Sequence, residues 1–498
     1  MTFIFISILI FFYSISLIIF FVYALSHLSL LINYLAFKKK SEIYVKWDFK
    51  NYINIPYVTI QLPIYNELYV IERLLFNIEK IDYPYEKLEI QILDDSDDDS
   101  SILIYDLISE IKSKGIDIIH LKRKQRIGYK AGALREGLKI AKGEFIAIFD
   151  SDFMPKPDFL IATIPYFKNP EIGMIQTRWG YLNKDFSILT KVQAFALDVH
   201  FTLEQVGRNA KNHFINFNGT AGVWRKKTII DAGNWQEDTI TEDLDLSYRA
   251  QLKEWKFIYL EKIITPAELP VTVNAIRSQQ YRWNKGGAEN FQKNIRKVLK
   301  SNKINTKTKI HAILHLLSST MFLNIFLVGF ISVPIVYIQN SWIGLNWYFN
   351  LTTFFLISTL IFYICYWFIH KEKNGSGILS FFNYTIQFLT FYSVISAFSV
   401  HNSIAVISGH LRIKSPFIRT PKFNLESDKK YSISENKYYK KSFSFYTIIE
   451  GLLSIYFLFG LYSAFNINEN GDFRLFPFHM LLFIGFSFVT IKSIIKVQ

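Results

Sequence analysis

The 498-residue sequence contains one cysteine, Cys365, so an internal disulfide bond is excluded. Because this residue falls within an apolar run, the sequence gives no reason to assign it a catalytic role. The chain also lacks an internal repeat of fixed period and any low-complexity segment, which argues against a repeat architecture. The distribution of charge along the chain is more informative.

Charged residues are missing from two long stretches, 3–36 and 316–369. Each stretch exceeds the ~20 apolar residues that a helix needs to cross a bilayer. The first has no basic segment before it and no small-residue cleavage site, and it is too long for a signal peptide. We therefore predict a retained transmembrane anchor over residues 1–37. Three lysines follow at once, at 38–40, and the positive-inside rule assigns the next segment to the cytoplasm.

The net charge of +14 raises the question of a nucleic-acid partner. Lysine and arginine cluster beside the apolar segments, however, as expected of a protein held in a membrane. We therefore predict contact with membrane lipids and no nucleic-acid partner. The predicted location is the inner (plasma) membrane, crossed several times, with the polar region between the apolar stretches in the cytoplasm.

The C-terminal third predicts two transmembrane helices within 311–370 and two more within 443–495. Between them, 379–408 is apolar but interrupted by polar residues, and 409–442 is strongly basic. If both flanks are cytoplasmic, a single crossing is impossible, so we interpret 379–442 as an interfacial or re-entrant segment followed by a cytoplasmic loop. This interpretation gives five spans. The alternative has six spans and puts the basic stretch outside.

The polar region, residues 45–273, alternates strand-like and helix-like patterns. Strands are predicted at 57–63, 88–93, 116–121 and 145–149, with helices near 68–80, 101–113 and 130–141. This alternation is typical of an α/β domain with a mainly parallel sheet and helices on both faces.

Further along, the pattern is looser. It predicts a strand at 172–179, a long helix at 186–209, a strand, glycine turn and returning strand at 214–224, a helix at 242–254 and a strand at 256–260. Residues 274–300 form an amphipathic pattern rich in lysine and arginine. We predict an interface helix there, lying on the membrane surface.

Carboxylates follow two of the predicted strands. Asp150 and Asp152 come after the apolar run 145–149, and Asp94 and Asp95 come after 88–93. Carboxyl ends of parallel strands meet at one edge of a sheet, where open α/β sheets bind ligands. A pair of carboxylates suits a hard divalent cation shared with substrate phosphates. The alternatives are a solvated acidic turn for the first pair and helix capping for the second.

Other charged residues stand at predicted helix starts. Lys130 follows a glycine at the start of one helix, where a cation suits an anionic ligand. Glu242 and Asp243 begin another, where a carboxylate serves either as a general base or only to stabilise the helix. Arg282 and Trp283 suit a pyrophosphate and the face of a sugar ring, unless they are ordinary membrane-interface residues.

These motifs, in this order and spacing, resemble those of the membrane-embedded family 2 glycosyltransferases, and most of all the cellulose-synthase-like and mannan-synthase-like branch. The likeness covers residues 57–300 well and extends more weakly to 425. The matching stretches are QLPIYNE (61–67), LDDSDD (93–98), GYKAGAL (128–134), FDSDF (149–153), FNGTAGVWR (217–225), TITEDLDLSYRA (239–250) and SQQYRW (278–283).

The resemblance implies a cytoplasmic GT-A domain that binds a nucleotide sugar, with Mg²⁺ or Mn²⁺ as cofactor, beside a bundle of transmembrane helices. It also implies roles for individual residues. These are nucleotide-sugar binding for Asp94, Asp95, Lys130, Asp150 and Arg282, metal binding for Asp150 and Asp152, catalysis as the base for Asp243, and acceptor binding for Gln279, Trp283 and Glu242.

The stretch FIRTPK, residues 417–422, is similar to the flexible gating loop of cellulose synthases. Phe417, Thr420 and Lys422 match that loop. Arg419 departs from it, because valine is usual there, and this departure puts the gating role in question.

The resemblance implies an inverting, processive hexosyltransferase that extends and exports a β-linked polysaccharide. UDP-glucose is the favoured donor and GDP-mannose the other possibility, and Trp179 and Trp224 are expected to line the path of the acceptor. The alternative is a non-processive enzyme acting on a ceramide- or diacylglycerol-like lipid. A transporter with a regulatory domain is disfavoured because paired repeats are missing, and accessory subunits are not indicated by the sequence.

Overall fold

A computed structural model describes residues 2–39, 54–416, 418–425, 436–439, 444–467, 469 and 471–495. The strands are β1 Val58–Ile64, β2 Leu88–Asp94, β3 Asp117–Lys122, β4 Phe145–Ile148, β5 Ile172–Tyr181, β6 Gly222–Arg225 and β7 Lys256–Ala267. The helices up to the end of this α/β region are α1 Thr2–Lys38, α2 Ile71–Ile78, α3 Ser100–Ser113, α4 Tyr129–Ile140, α5 Phe159–Thr163, α6 Ile188–Asp198, α7 Val206–Asn209, α8 Lys226–Asp231 and α9 Glu242–Leu252.

The helices that follow form the C-terminal half of the structure. They are α10 Val273–Lys300, α11 Thr306–Leu316, α12 Met321–Ser341, α13 Asn346–Thr353, α14 Leu356–Asn374, α15 Ile378–Ala397, α16 Ser399–His410, α17 Phe445–Asn466 and α18 Phe476–Ile494.

One sheet of seven strands, in the order β3-β2-β1-β4-β6-β5-β7, organises the α/β domain. The first four strands in this order are parallel, β6 runs antiparallel to both of its neighbours, and β7 is parallel to β5. Strands β1 and β2 are almost wholly buried because helices cover both faces, which explains their continuous apolar runs. The predicted α/β class is confirmed.

The two faces of the sheet have different partners. Helices α2 and α3 pack on one face through residues such as Leu74 and Ile104. The other face packs against α4, α7 and α9, and also against the ends of two apolar helices, through Tyr34 of α1 and Ile369 of α14. The α/β domain is therefore joined to the apolar helices through a shared core.

Among the described residues, six helical stretches are long and apolar enough to cross a membrane. They are Phe3–Lys38, Ser318–Ser341, Asn346–Asn374, Ile378–Ala397, Phe445–Asn466 and Phe476–Ile494. Five of them agree with the five predicted spans, and the remaining one is α15, within the stretch for which we predicted no full crossing.

Both ends of α15 lie close to the α/β domain. Its start packs on the end of α14, where Glu372 pairs with Lys38 and Lys373 pairs with Asp198 of α6. Its end shares an apolar cluster with α6, and α16 then follows α10, with Asn402 Nδ2 donating to Gln280 Oε1 at 2.7 Å. That residues 379–408 do not cross the membrane stays a prediction, and these contacts agree with it.

The structure differs from the predicted pattern between 186 and 225. The long helix is divided into α6 and α7 by a π-helical turn, Val199–Gln205, and 214–224 contains one strand rather than two. The expected first strand is an extended segment whose backbone is bound by side chains. Ile215 N–H donates to Gln251 Oε1 at 3.1 Å, and Phe217 N–H donates to Ser247 Oγ at 2.9 Å. Side-chain partners therefore replace a neighbouring strand.

Candidate active site

Two adjoining cavities open at the carboxyl ends of β1, β2 and β4. The first cavity, of about 190 Å³, also reaches the start of α9, one face of α10 and residues 420–422. The second cavity, of about 140 Å³, lies over β1 and β2. Five residues line both cavities: Lys130, Asp150, Arg282, Thr420 and Lys422. The sheet thus brings the predicted strand-end carboxylates to one crevice.

Lys130 and Asp150 form the centre of the crevice. Lys130 Nζ lies 2.5 Å from Asp150 Oδ1 and donates to the carbonyl oxygen of Gly219 at 2.8 Å. Burial lowers the pKa of Lys130, but the nearby carboxylates of Asp150, Glu242 and Asp243 outweigh burial and raise it overall. Lys130 therefore stays charged and offers a cation to an anionic ligand.

Asp152 also lines the first cavity and pairs with Lys422. Lys422 Nζ also donates to Ser151 Oγ at 2.9 Å and lies 3.8 Å from Glu67 Oε1. Burial lowers the pKa of Lys422, but the carboxylates around it raise it overall. A lysine from a segment remote in sequence thus neutralises one of the two carboxylates predicted to bind metal.

Asp243 and Glu242 begin α9 and both face the first cavity. Burial raises the pKa of Asp243, and the neighbouring charge of Glu242 raises it further, against the opposing effect of Lys130. Leu244 N–H donates to Asp243 Oδ1 at 2.9 Å and holds the carboxylate in place. A carboxylate with a raised pKa beside a cavity is suited to act as a general base.

Gln279, Arg282 and Trp283 project from α10 into the first cavity. Arg282 donates to the carbonyl oxygen of Ile418 and to Thr420 Oγ1, the latter at 2.8 Å, and burial lowers its pKa to about 10. Trp283 is 40% exposed, and its ring centre lies 6.5 Å from that of Trp179. The cavity therefore has a cationic end and an aromatic wall.

The two carboxylates at the end of β2, Asp94 and Asp95, have different surroundings. Asp95 lines the second cavity and accepts hydrogen bonds from Arg123, with Nε at 2.6 Å. Asp94 lines neither cavity, because it is buried and bonded to Ser101 Oγ at 2.6 Å and to His120 Nε2 at 2.9 Å. These bonds outweigh burial and lower the pKa of Asp94 to about 2. The structure thus brings Asp95, and not Asp94, to the crevice.

Sequence reasoning missed three residues that hold the segment 418–425 on the crevice. Arg419 donates to both carboxylate oxygens of Glu67, at 3.1 and 2.6 Å, and Glu268 accepts from the backbone of Phe423 and Leu425 at 2.7 and 3.1 Å. Glu67 follows the end of β1, so the reasoning applied to β2 and β4 would have found it. Glu268 follows β7, but β7 extends to Ala267, beyond the predicted end of that strand at 260, so the same reasoning would not have found it.

The predicted gating-like residues are only partly visible. Thr420 and Lys422 line both cavities. Phe417 lies outside the described residues. Arg419, the residue that departs from the gating-loop pattern, forms an ion pair whose two side chains are 13% and 8% exposed.

Trp224 is not on the acceptor path, and that expectation was wrong. It is fully buried in β6 and packs edge-on against Phe217 and Phe257, because its strand is an inner strand of the sheet. Trp179, in contrast, lines the first cavity, as expected.

The donor atoms present fit a divalent cation. Asp150 and Asp152 face one cavity, and their oxygens are the hard ligands that Mg²⁺ and Mn²⁺ accept. Within the described ranges, no group of three or more His, Cys, Asp or Glu side chains is arranged to hold a metal. Substrate phosphates and water would therefore have to complete the coordination.

A mixed α/β sheet with carboxylates, a lysine and an arginine gathered at its strand ends is the arrangement expected of a GT-A-like domain. Comparisons with known proteins agree with this fold. Residues 56–286 match the family described as "Glycosyltransferase like family 2", in agreement with the resemblance of the motifs.

The chain is similar to curated plant proteins. It is 41% identical over 265 residues to glucomannan 4-beta-mannosyltransferase 2 of Arabidopsis thaliana, which is 52% of this chain and 50% of that protein. It is also 41% identical over 266 residues to glucomannan 4-beta-mannosyltransferase 1 of Oryza sativa subsp. japonica, with the same coverage. The chain thus spans about half the length of the curated relatives it matches.

Among solved structures, the fold is similar to that of the mannosyltransferase PcManGT from Pyrobaculum calidifontis, determined in complex with GDP-Man and Mn²⁺. The TM-score is 0.53 at 18% sequence identity, over 81% of this chain and all of that one. At this identity, the likeness establishes a shared fold.

Proposed function

We propose that this protein is an inverting, metal-dependent glycosyltransferase that moves mannose from GDP-mannose to a growing β-linked polysaccharide. One observation carries the proposal: Asp243, Lys130, Asp150 and Arg282 converge on one cavity of a family 2 glycosyltransferase domain, next to the wall formed by Trp179 and Trp283. The cavity therefore combines a base, cations for a diphosphate and a surface for a sugar.

The proposed donor, GDP-mannose, differs from UDP-glucose, the donor first expected. UDP-glucose is not supported by the curated relatives, which are named as glucomannan 4-beta-mannosyltransferases. Mannose and a β-1,4 linkage are therefore the better-supported choices. Asp95, with Tyr65 and Arg126 stacked at 3.3 Å, offers polar and aromatic surfaces for the nucleoside in the second cavity.

The transfer step follows from the arrangement of the side chains. Asp243 accepts the proton of the attacking acceptor hydroxyl, which its raised pKa favours near neutral pH. Lys130 and Arg282 stabilise the negative charge that develops on the departing diphosphate. Attack from the side opposite the leaving group inverts the anomeric carbon, so an α-linked donor yields a β-linked product.

Asp150 and Asp152 are the residues that would hold Mg²⁺ or Mn²⁺. When bound, the cation supplies positive charge to the diphosphate. Lys422 pairs with Asp152 and is placed to share these contacts with the phosphate oxygens.

Polymer synthesis and export are supported by what adjoins the first cavity. Gln279 and Trp283 also line an apolar cavity of about 60 Å³ between α6, α10 and α15, which adjoins the first cavity on the side of the apolar helices. A chain extended at Asp243 could enter the helical bundle by this route. We infer a multi-pass protein of the inner (plasma) membrane, with the transferase domain in the cytoplasm and membrane lipids around α12, α14, α17 and α18.

The test uses membranes that contain the full chain, with Mg²⁺ and Mn²⁺ and with radiolabelled GDP-mannose or UDP-glucose in separate reactions. Label is followed into ethanol-insoluble polymer and into an organic lipid extract. We expect label in the polymer from GDP-mannose only. Addition of EDTA should stop incorporation, and excess Mn²⁺ or Mg²⁺ should restore it.

Two variants sharpen this test. Asp243→Asn should lower incorporation by about 10²- to 10⁴-fold, as loss of a general base does, while the protein still accumulates in the membrane. Asp185→Asn, at a carboxylate whose side chain is 78% exposed, should keep full activity. Label only in the lipid extract would instead identify an enzyme acting on a ceramide- or diacylglycerol-like acceptor. Incorporation that continues in EDTA would show that the transfer does not depend on a metal.

A further inference from the structure

A carboxylate, an imidazole and an amide form a chain of hydrogen bonds that ends at the first cavity. His200 and Glu204 belong to the π-helical turn, and His200 Nδ1 lies 3.1 Å from Glu204 Oε2. The other ring nitrogen, His200 Nε2, lies 3.0 Å from Asn218 Nδ2. Asn218 lines the first cavity.

The direction of these bonds follows from their partners. A carboxylate accepts only, so His200 Nδ1–H donates to Glu204. Nε2 is then free to accept from the amide of Asn218, because Gln205 Nε2 donates to Asn218 Oδ1 at 2.8 Å and turns the amide nitrogen towards the ring. Glu204 thus selects one neutral tautomer of His200, and that tautomer selects one orientation of Asn218.

Glu204 is itself firmly held. Arg208 Nη2 donates to its carboxylate at 2.8 Å, and His27 Nε2 of α1 lies 3.4 Å from it. Burial raises the pKa of Glu204, but Arg208 and the two histidines outweigh burial and hold it well below its usual value. The carboxylate is therefore charged, and it joins the N-terminal helix to the π-helical turn.

The loop around Asn218 supports the proposed catalytic residues. The carbonyl oxygen of Gly219 accepts from Lys130, and Thr220 Oγ1 accepts the backbone N–H of Asp150 at 2.9 Å. The loop also passes close to Asp243, since a side chain at Gly219 would place its Cβ 3.1 Å from Asp243 Oδ2. A small rotation at Asn218 would therefore displace Asp243, the proposed base, together with Lys130 and Asp150, the residues proposed to lie beside the diphosphate.

From this arrangement we propose that Glu204 and His200 are positioning residues that act through Asn218, which presents an amide N–H to a hydroxyl oxygen of the acceptor sugar. Asn218 Nδ2 has two hydrogens, and in the part of the chain that the structure describes only the one directed at His200 has a partner. The second hydrogen of Asn218 Nδ2 is therefore available to a ligand in the first cavity. This inference rests on the proposed function, because it assumes that a sugar hydroxyl is activated at Asp243.

The first arm of the test is a double-mutant cycle on the full chain in membranes, measured as kcat and as KM for GDP-mannose. His200→Leu and Asn218→Ala should each lower kcat by about 10- to 100-fold, as misplacement of a reacting group does, with KM for the donor within about twofold. The double variant should be no worse than the worse single variant, because both changes remove one interaction. Losses that multiply would overturn the proposal.

Two more variants separate this hydrogen bond from general damage. His200→Gln provides an oxygen at the position of Nε2 and should keep at least a third of wild-type kcat. His213→Leu changes another buried histidine of the same region, which is stacked on His311 at 4.3 Å, and should keep most of the activity. If His200→Gln is as inactive as His200→Leu, or if His213→Leu loses as much, the positioning role is wrong.

The second arm needs no transferase activity. Amide hydrogen exchange of the peptide that spans 214–222 should be faster in His200→Leu than in wild type, and close to wild type in His200→Gln and His213→Leu. If the wild-type protein transfers no sugar but the peptide exchanges faster in His200→Leu, the proposed function is rejected and the His200 contact is retained. Unchanged exchange in His200→Leu would reject the contact itself.

Discussion

At the scale of single residues, the crevice is defined by carboxylates and cations that neutralise one another. Lys130 balances Asp150, Lys422 balances Asp152, and Arg123 balances Asp95. Such pairs hold charged side chains in a site from which water is partly excluded, where unpaired charges would be costly. The phosphates of a nucleotide can replace the carboxylates as partners of the basic side chains. A metal cation can replace the basic side chains as partner of the carboxylates.

Asp243 and Glu242 are neighbouring carboxylates, and this pair predicts a shift in pH dependence. The base works only when it is ionised, so activity falls as the pH drops through the raised pKa of Asp243, above the ~4 of a free aspartate. Glu242→Gln removes a like charge and should lower that pKa. The acidic limb of the kcat/KM profile should therefore move to lower pH by about one unit.

Glu289→Gln serves as a comparison for this experiment. Glu289 is a carboxylate of α10 that accepts a hydrogen bond from Ile240 N–H at 2.8 Å, and it does not line the first cavity. Its replacement should leave the acidic limb where it is. A limb that moves to higher pH in Glu242→Gln would contradict the assignment of Asp243 as the base.

At the scale of elements, the segment 418–425 is fixed on the crevice by side chains from the α/β domain. Arg419→Glu should release it, because two like charges then face each other in a largely buried position. Amide exchange of this segment should become at least about tenfold faster, the effect of losing 1.4 kcal/mol of local stability. Combining Arg419→Glu with Glu67→Arg should restore slow exchange.

A charge reversal elsewhere controls for the change in net charge. Lys114→Glu acts on a surface pair with Glu79, where the lysine side chain is 40% exposed, and should leave the segment unaffected. If Arg419→Glu leaves exchange of the segment at the wild-type rate, Arg419 does not hold the segment through Glu67.

Helices α9 and α10 approach closely where the proposed base and acceptor residues meet. A Cβ at Gly286 would lie 2.4 Å from Thr241 Oγ1, which precedes α9, whereas a Cβ at Gly287 would meet only the hydroxyl of Ser319 at 3.3 Å. Gly286→Ala should therefore push the helices apart. We expect a loss of about 1–3 kcal/mol in the free energy of unfolding, measured by thermal denaturation in detergent.

Gly287→Ala is the matched comparison, because it makes the same change in the same helix turn. Alanine favours helix by up to about 1 kcal/mol over glycine, so this variant should be neutral or stabilised. The same two proteins should differ in transfer activity, with only Gly286→Ala impaired. Equal stability and activity of the two variants would show that close packing at Gly286 is unimportant.

At the scale of the whole molecule, the α/β domain and the apolar helices share a core, and the segment after α16 returns to the α/β domain. From these contacts we predict that 379–408 begins and ends on the side of the α/β domain. In a chain with Cys365→Ala, single cysteines replacing Ser376, Lys414 and Lys114 should react with an impermeant maleimide from the same side of the membrane.

A cysteine replacing Gly344, between α12 and α13, should react from the opposite side. Labelling is compared between sealed vesicles of known orientation and vesicles opened with detergent. A cysteine at 414 that reacts from the side of 344 would favour the alternative with six spans.

Much of the fold could be predicted because its signals are local. All seven strands have a predicted counterpart in the apolar runs, with β6 as the returning strand of 214–224, whereas the short helices α5 and α8 were not predicted. The carboxylates Asp95, Asp150 and Asp152 follow from their positions at strand ends. One predicted strand is missing. The segment before β6 lacks a partner strand, because Gln251 and Ser247 from α9 bind its backbone.

The sequence by itself determined the α/β class, the family 2 motifs and the edge of the sheet at which ligands bind, because periodicity and strand ends are properties of short stretches. Only the tertiary structure decided which side chains meet there. It bonded Asp94 to Ser101 and His120, away from the crevice, and left Asp95 facing the second cavity. It also joined Arg419 to Glu67 across 352 residues and His200 to Asn218, contacts that depend on how separate elements pack.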